Sequence, residues 1–160
     1  MIRAAFFDID GTLLSHTSHC VPQSTRRALA RLKATGIKCV AATGRHMLEL
    51  AELPVSDIPF DAYLTLNGQI CLDDRGNVLL DNPILCPDKE TILRLFREKQ
   101  LPVMLVEKDA MYINLINSYV EAAQKAISTE LPMVGDYTGA PSIRLLPSPR
   151  GGRSSPSRSS

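Results

Sequence analysis

The chain has 160 residues, 44% of them apolar and 22% charged, with a formal net charge of +1. That length holds one domain with a real core, or a smaller core and part of a second unit, and the near-neutral charge excludes a global field that would draw the protein to nucleic acid or an anionic membrane. No apolar run approaches the roughly 18 residues of a membrane span, no signal-peptide pattern opens the chain, and Cys20, Cys39, Cys71 and Cys86 contain no C-x-x-C pair, so a reduced, cytoplasmic compartment is expected.

The first element is the apolar run 4–7, expected to be a buried parallel strand, which ends in Asp8 and Asp10, followed by Gly11 and Thr12. Ligands of open α/β sheets collect at the carboxyl ends of strands. If strand geometry persists through Ile9, the two carboxylates project to one side. At about 6 Å and an effective dielectric of about 20 they repel by roughly 3 kcal/mol. Either a cation offsets that repulsion or one acid holds a proton. The first outcome leaves Asp8 ionised as a nucleophile, and the second leaves Asp10 able to donate to a leaving oxygen. Gly11 permits a sharp exit and Thr12 can add a hydrogen bond. The competing reading is a strand followed by an Asp-Gly turn with solvated acids.

Residues 13–21 form a polar loop holding His16, His19 and Cys20, without a second half for a tetrahedral metal site. A helix follows from Pro22, with Ser24 as its cap, Ala28, Leu29 and Leu32 inward, and Gly36 at its end. Arg26, Arg27, Arg31 and Lys33 read as a solvated basic face, because no aromatic residues interleave with them. Residues 37–42 are a second buried strand, and the strand–helix–strand order implies a right-handed crossover. Thr43-Gly44-Arg45 then leads into a helix over 47–53, an anion cradle of one hydroxyl, backbone N–H groups and a helix N-terminus. The alternative here is a polar turn with Thr43 as N-cap. A short strand, 63–66, precedes Asn67-Gly68, which by itself is a turn signal.

Residues 70–80 read as a hairpin turned at 73–77. A helix from Pro87, strands at 103–106 and 111–115, and a helix over 118–129 follow. This β-β-α-β-β-α order predicts a separate antiparallel sheet with helices on one face. Residues 147–160, rich in Pro, Ser, Gly and Arg, cannot bury a core and are expected to be disordered. Their abrupt onset after the apolar SIRLL suggests truncation or a changed reading frame.

FFDIDGTL resembles motif I of the haloacid dehalogenase (HAD) superfamily, whose phosphatases carry DxDGT, and AATGR resembles motif II in the form typical of Cof-type sugar-phosphate phosphatases. The resemblance implies a Mg²⁺-dependent phosphatase of small phosphorylated metabolites, with no nucleic acid or membrane as partner. Asp8 would attack phosphorus to form an aspartyl-phosphate. Asp10 would protonate the leaving alcohol and later activate water, and Mg²⁺ would bind the Asp8 carboxylate and the Asp10 backbone carbonyl. Thr12, Thr43, Gly44, Arg45 and Asn67 would contact phosphate or substrate, and the loop 13–21 would be a mobile flap. The implied fold class is α/β: a partial Rossmann-like parallel sheet over 1–68, an inserted α+β cap over 69–146, and the tail 147–160. The motif III lysine and motif IV acids of full-length relatives are absent, since Gly135-Asp136 sits in the wrong context for motif IV. Two other classes stay open. One is a catalytically impaired fragment that only binds phosphate or a partner. The other is a receiver-type phosphoacceptor module, which lacks its expected aspartate after 63–66.

Overall fold

The computed structural model of the chain describes residues 2–127, 129–137 and 144–145. Strands β1 (Ala4–Phe7), β2 (Lys38–Ala42) and β3 (Ala62–Thr65) lie parallel, connected through helices α1 (Gln23–Ala34) and α2 (Met47–Glu52). β4 (Ile70–Asp73) and β5 (Val78–Asp81) complete a five-stranded sheet in the order β1-β2-β3-β4-β5. A second sheet, in the order β7-β6-β8, holds β6 (Met104–Val106), β7 (Met111–Ile113) and β8 (Arg144–Leu145), accompanied by α3 (Asp88–Glu98) and α4 (Ser118–Ala126). The fold is thus α/β, built on a mixed sheet whose first three strands are parallel.

The main core lies on the helix-bearing side of the first sheet. Cys39 and Ala41 point into it from β2, and Leu29, Leu50, Leu53, Val55, Ile58 and Phe60 meet them there. Cys39 is 1% exposed, as its apolar run predicts. Its thiol pKa is raised, chiefly by burial and then by Asp61. A smaller cluster of Phe96, Val103 and Leu105 joins α3 to the second sheet. Asn114 buttresses that cluster: its side chain donates to the carbonyls of Phe96 and Leu101, 3.0 Å each, and accepts from the Val103 amide at 2.8 Å.

Four expectations need correction. β1 is an edge strand, paired only with β2, and Phe6 is 61% exposed. The run 4–7 is therefore parallel but not buried, because nothing in the described residues covers its outer edge or the face that carries Phe6. The hairpin 70–80 joins the first sheet, with β4 antiparallel to β3 through the register Thr65↔Ile70. Only four residues, the 3-10 turn Leu66–Gly68 and Gln69, separate them, and so short a connection returns the chain against its own strand. Ser24 does not cap α1, whose N-cap position is Pro22 with no side-chain bond. Nor is the basic face of α1 simply solvated. Arg26 donates to Asp57 at 2.6 Å and to the Pro54 carbonyl at 2.8 Å, and Lys33 reaches the Pro59 carbonyl, so both pin the loop after α2.

No helix among the described residues is long and apolar enough to cross a membrane. The expected tail, 147–160, lies outside the described residues.

Candidate active site at the carboxyl ends of β1 and β2

The parallel register Phe7↔Ala41 brings the exits of β1 and β2 to the same level of the same sheet edge. Asp8 and Asp10 leave from one strand and Thr43-Gly44-Arg45 from the other. After Phe7 the chain tightens at once: Gly11 N–H donates to the Leu14 carbonyl, while the amides of Thr12, Leu13 and Leu14 all donate to the Ile9 carbonyl. Ile9 is fully buried and anchors this turn from below. Gly11 has φ +76°, a conformation that favours glycine, and a Cβ there would lie 2.4 Å from Nε2 of the exposed His16 ring, which would have to swing aside.

The strand ends at Phe7, but the alternation of faces survives it: Asp8 is exposed, Ile9 buried and Asp10 intermediate. The two acids have different partners. Asp8 accepts only a long contact, 3.5 Å, from the Thr12 hydroxyl. Asp10 accepts from Arg45 through both oxygens, Nε to Oδ2 at 2.7 Å and Nη2 to Oδ1 at 2.7 Å. The repulsion expected between the two acids is thus offset by a guanidinium from the neighbouring strand end, a residue that the resemblance implies for phosphate or substrate. Arg45 is 9% exposed, and its pKa is raised above the ordinary value, first by the hydrogen bond to Asp10. Its Nη2 also donates to the Ile127 carbonyl at the end of α4, 2.8 Å away.

Thr43 is buried, and its hydroxyl accepts from the Arg45 amide at 3.1 Å. It does not cap α2. His46 does, as one half of a capping box in which its Nδ1 accepts from Leu48 N–H at 3.1 Å and Glu49 Oε2 accepts from His46 N–H at 2.7 Å. The pattern His-x-x-Glu before an apolar run was the signal available for this, since it copies the Ser/Thr-x-x-Glu box. Asn67 comes to the same place. Its amide donates to the Thr43 carbonyl at 3.1 Å, and a Cβ on Gly44 would meet its Oδ1 at 3.0 Å. Leu66, Asn67 and Gly68 all have positive φ, 52°, 57° and 85°, strained at the first two and ordinary for glycine, where the run meets the Thr43–Arg45 turn.

A cavity of about 450 Å³ opens at this edge, lined by Asp10, His16, His19, Gly44, Arg45 and Asn67, with an apolar wall that includes Leu53 and Ile127. Of the predicted site residues, Asp10, Gly44, Arg45 and Asn67 line it, whereas Asp8, Thr12 and Thr43 do not. Its size suits a small organic molecule. Among the described residues no group of three His, Cys, Asp or Glu side chains could hold a metal ion. The Asp8 carboxylate and the Asp10 backbone carbonyl are two donors toward the implied Mg²⁺ site, and they do not complete one. Asp136, the acid of the rejected Gly-Asp pair, is instead a surface residue 3.4 Å from Lys99.

The fold is α/β, with the ends of its parallel strands β1 and β2 meeting at one cavity, and the comparisons with known proteins agree with that fold. The model of the haloacid dehalogenase-like hydrolases matches residues 5–134, and the chain belongs to that family. It is similar to YkrA of Bacillus subtilis, with 27% identity over 147 residues, covering 90% of this chain and 56% of that protein. It is also similar to the HMP-PP phosphatase of Cronobacter sakazakii, 42% identical over 94 residues, covering 58% of this chain and 34% of that one. Among solved structures, the sugar phosphatase BT4131, a HAD subclass IIB protein, superposes with a TM-score of 0.61 at 32% identity, covering 77% of this chain and 46% of that one. BT1666 from Bacteroides thetaiotaomicron, described among the HAD phosphatases, does so with a TM-score of 0.70 at 34% identity, covering 85% and 50%. The chain therefore spans about half the length of the relatives it matches.

Proposed function

We propose that this chain carries the nucleophile-bearing part of a phosphatase for small phosphorylated metabolites, sugar phosphates first among them, acting through an aspartyl-phosphate. A carboxylate oxygen of Asp8 attacks phosphorus. The bond to the ester oxygen breaks, and the departing alkoxide takes a proton from Asp10. Water then attacks the acyl-phosphate, passing its proton to Asp10 and releasing phosphate and the Asp8 carboxylate. To hold a proton for this work, Asp10 must release at least one of its two Arg45 bonds. The Thr43 turn receives the phosphoryl oxygens, and Asn67 faces the substrate body in the cavity. Mg²⁺, when bound, would offset the charge of the phosphoryl oxygens, but the donors present do not complete its site.

The observation that carries this reading is the pairing of Asp10 with Arg45, which brings the ends of β1 and β2 to one cavity. The phosphatase names of the relatives support it. All four cysteines are free, which supports a reduced, cytoplasmic setting. Turnover of 4-nitrophenyl phosphate with Mg²⁺ tests the reading: hydrolysis by the parent chain that Asp8→Asn abolishes is expected, and equal rates in both remove the enzyme claim. A second reading, a phosphate- or partner-binding module without turnover, is favoured by the closed Arg45–Asp10 pair.

A further inference from the structure

We propose that His46 is a positioning residue that fastens the turn at 107–110 of the second unit to the phosphate end of the first sheet. His46 is 2% exposed and follows directly on the Thr43–Arg45 turn. Its Nδ1 accepts from the Leu48 amide, and a ring nitrogen that accepts carries no proton. The single proton of the neutral ring therefore sits on Nε2, which lies 2.8 Å from the Glu107 carbonyl and donates to it.

Both ends of that bond are rigidly held. The His46 amide is tied to Glu49 Oε2, so ring and backbone are fixed together by α2. Glu107 opens the tight turn between β6 and β7, closed by its own amide donating to the Ala110 carbonyl at 2.8 Å. A short chain of fixed groups thus runs from the Thr43 turn to the tip of a hairpin in the second unit. Arg45, one residue earlier, makes the neighbouring crossing to the Ile127 carbonyl. Consecutive residues after the phosphate turn hold two separate segments of the second unit, and only Arg45 of the pair lines the cavity. His46 acts without touching whatever occupies that cavity.

The functional weight of this fastening rests on the proposed phosphate reading of 43–45. That reading is tested separately, by amide shifts of Thr43 and Gly44 on titration with inorganic phosphate, so the two can fail independently. His46→Asn separates fastening from capping, because asparagine is a good N-cap acceptor but too short to reach Glu107. Hydrogen exchange of the 160-residue chain is expected to quicken about tenfold at amides 106–113 in His46→Asn, with α2 amides within about twofold of the parent. Unchanged exchange at 106–113 overturns the proposal. If the variant does not fold, nitrogen-15 spectra of the parent chain's histidines decide: a His46 ring protonated on Nε2 alone is expected, and protonation on Nδ1 overturns it.

Discussion

Arg45 holds Asp10 by a two-point grip, Nε and Nη2 each 2.7 Å from a different carboxylate oxygen, although 35 residues separate them in the chain. The pair is unequal in its surroundings: the arginine side chain is 9% exposed and the aspartate 37%. Asp10→Asn would leave a buried cation without its counter-charge, whereas Asp8, exposed and with only a long contact to Thr12, is structurally expendable. Asp10→Asn is therefore expected to lower stability by about 1–3 kcal/mol, and Asp8→Asn to change it by less than about 0.5 kcal/mol. Urea denaturation of both variants checks this, and equal losses would deny the grip its role.

That asymmetry also marks the limit of what the sequence displays. Strand 4–7, the helices after Pro22 and Pro87 and the strand before Thr43 follow from local periodicity, and the structure contains them within a residue or two. DxDGT and ATGR are legible because each carries its residue types side by side along the chain. The Arg45–Asp10 pair, the His46–Glu107 bond and the hydrogen bonds of Arg26 and Lys33 to the 54–61 loop are contacts across 26 to 61 residues, and nothing local encodes them. The hairpin 70–80 was legible as a hairpin but not in its sheet, since pairing partners depend on how far Leu66–Gly68 lets the chain travel.

Acid should weaken the fold through His46. Burial pushes its pKa below the ordinary 6.5. Below about pH 6.5 an unfolded histidine binds a proton that the folded one refuses, so stability falls as pH drops through that value, by at most about 1.4 kcal/mol per pH unit for this group. Urea midpoints measured at pH 7.5 and 5.5 are expected to differ in the parent and to converge in His46→Asn. A parent insensitive to pH in that window would contradict the buried neutral ring.

A side chain at Gly11 should cost chiefly through the backbone. With φ +76° and His16 Nε2 2.4 Å from the position of a Cβ, Gly11→Ala is expected to cost about 1–2 kcal/mol and to shift the His16 resonances. Gly36→Ala shares the positive φ, 81°, but meets nothing within 4 Å, so it isolates the backbone part of the cost. Thermal melts of the two variants give the difference.

The open edge of β1 has its own consequence. Among the described residues, Phe6, 61% exposed, and Ile2, 73% exposed, present apolar surface beside backbone groups that pair with no strand, an arrangement that invites strand-to-strand association. Phe6→Lys is expected to raise the concentration at which the chain stays monomeric, as read by light scattering, with a stability change within about 0.5 kcal/mol.

The chemistry stands or falls on Asp8 as the atom that takes the phosphoryl group. Acid-quenching the chain during incubation with 4-nitrophenyl phosphate and Mg²⁺, then mapping the product by mass spectrometry, is expected to place a phosphoryl adduct on Asp8 and none in Asp8→Asn. An adduct at another residue, or the same yield in Asp8→Asn, would contradict it.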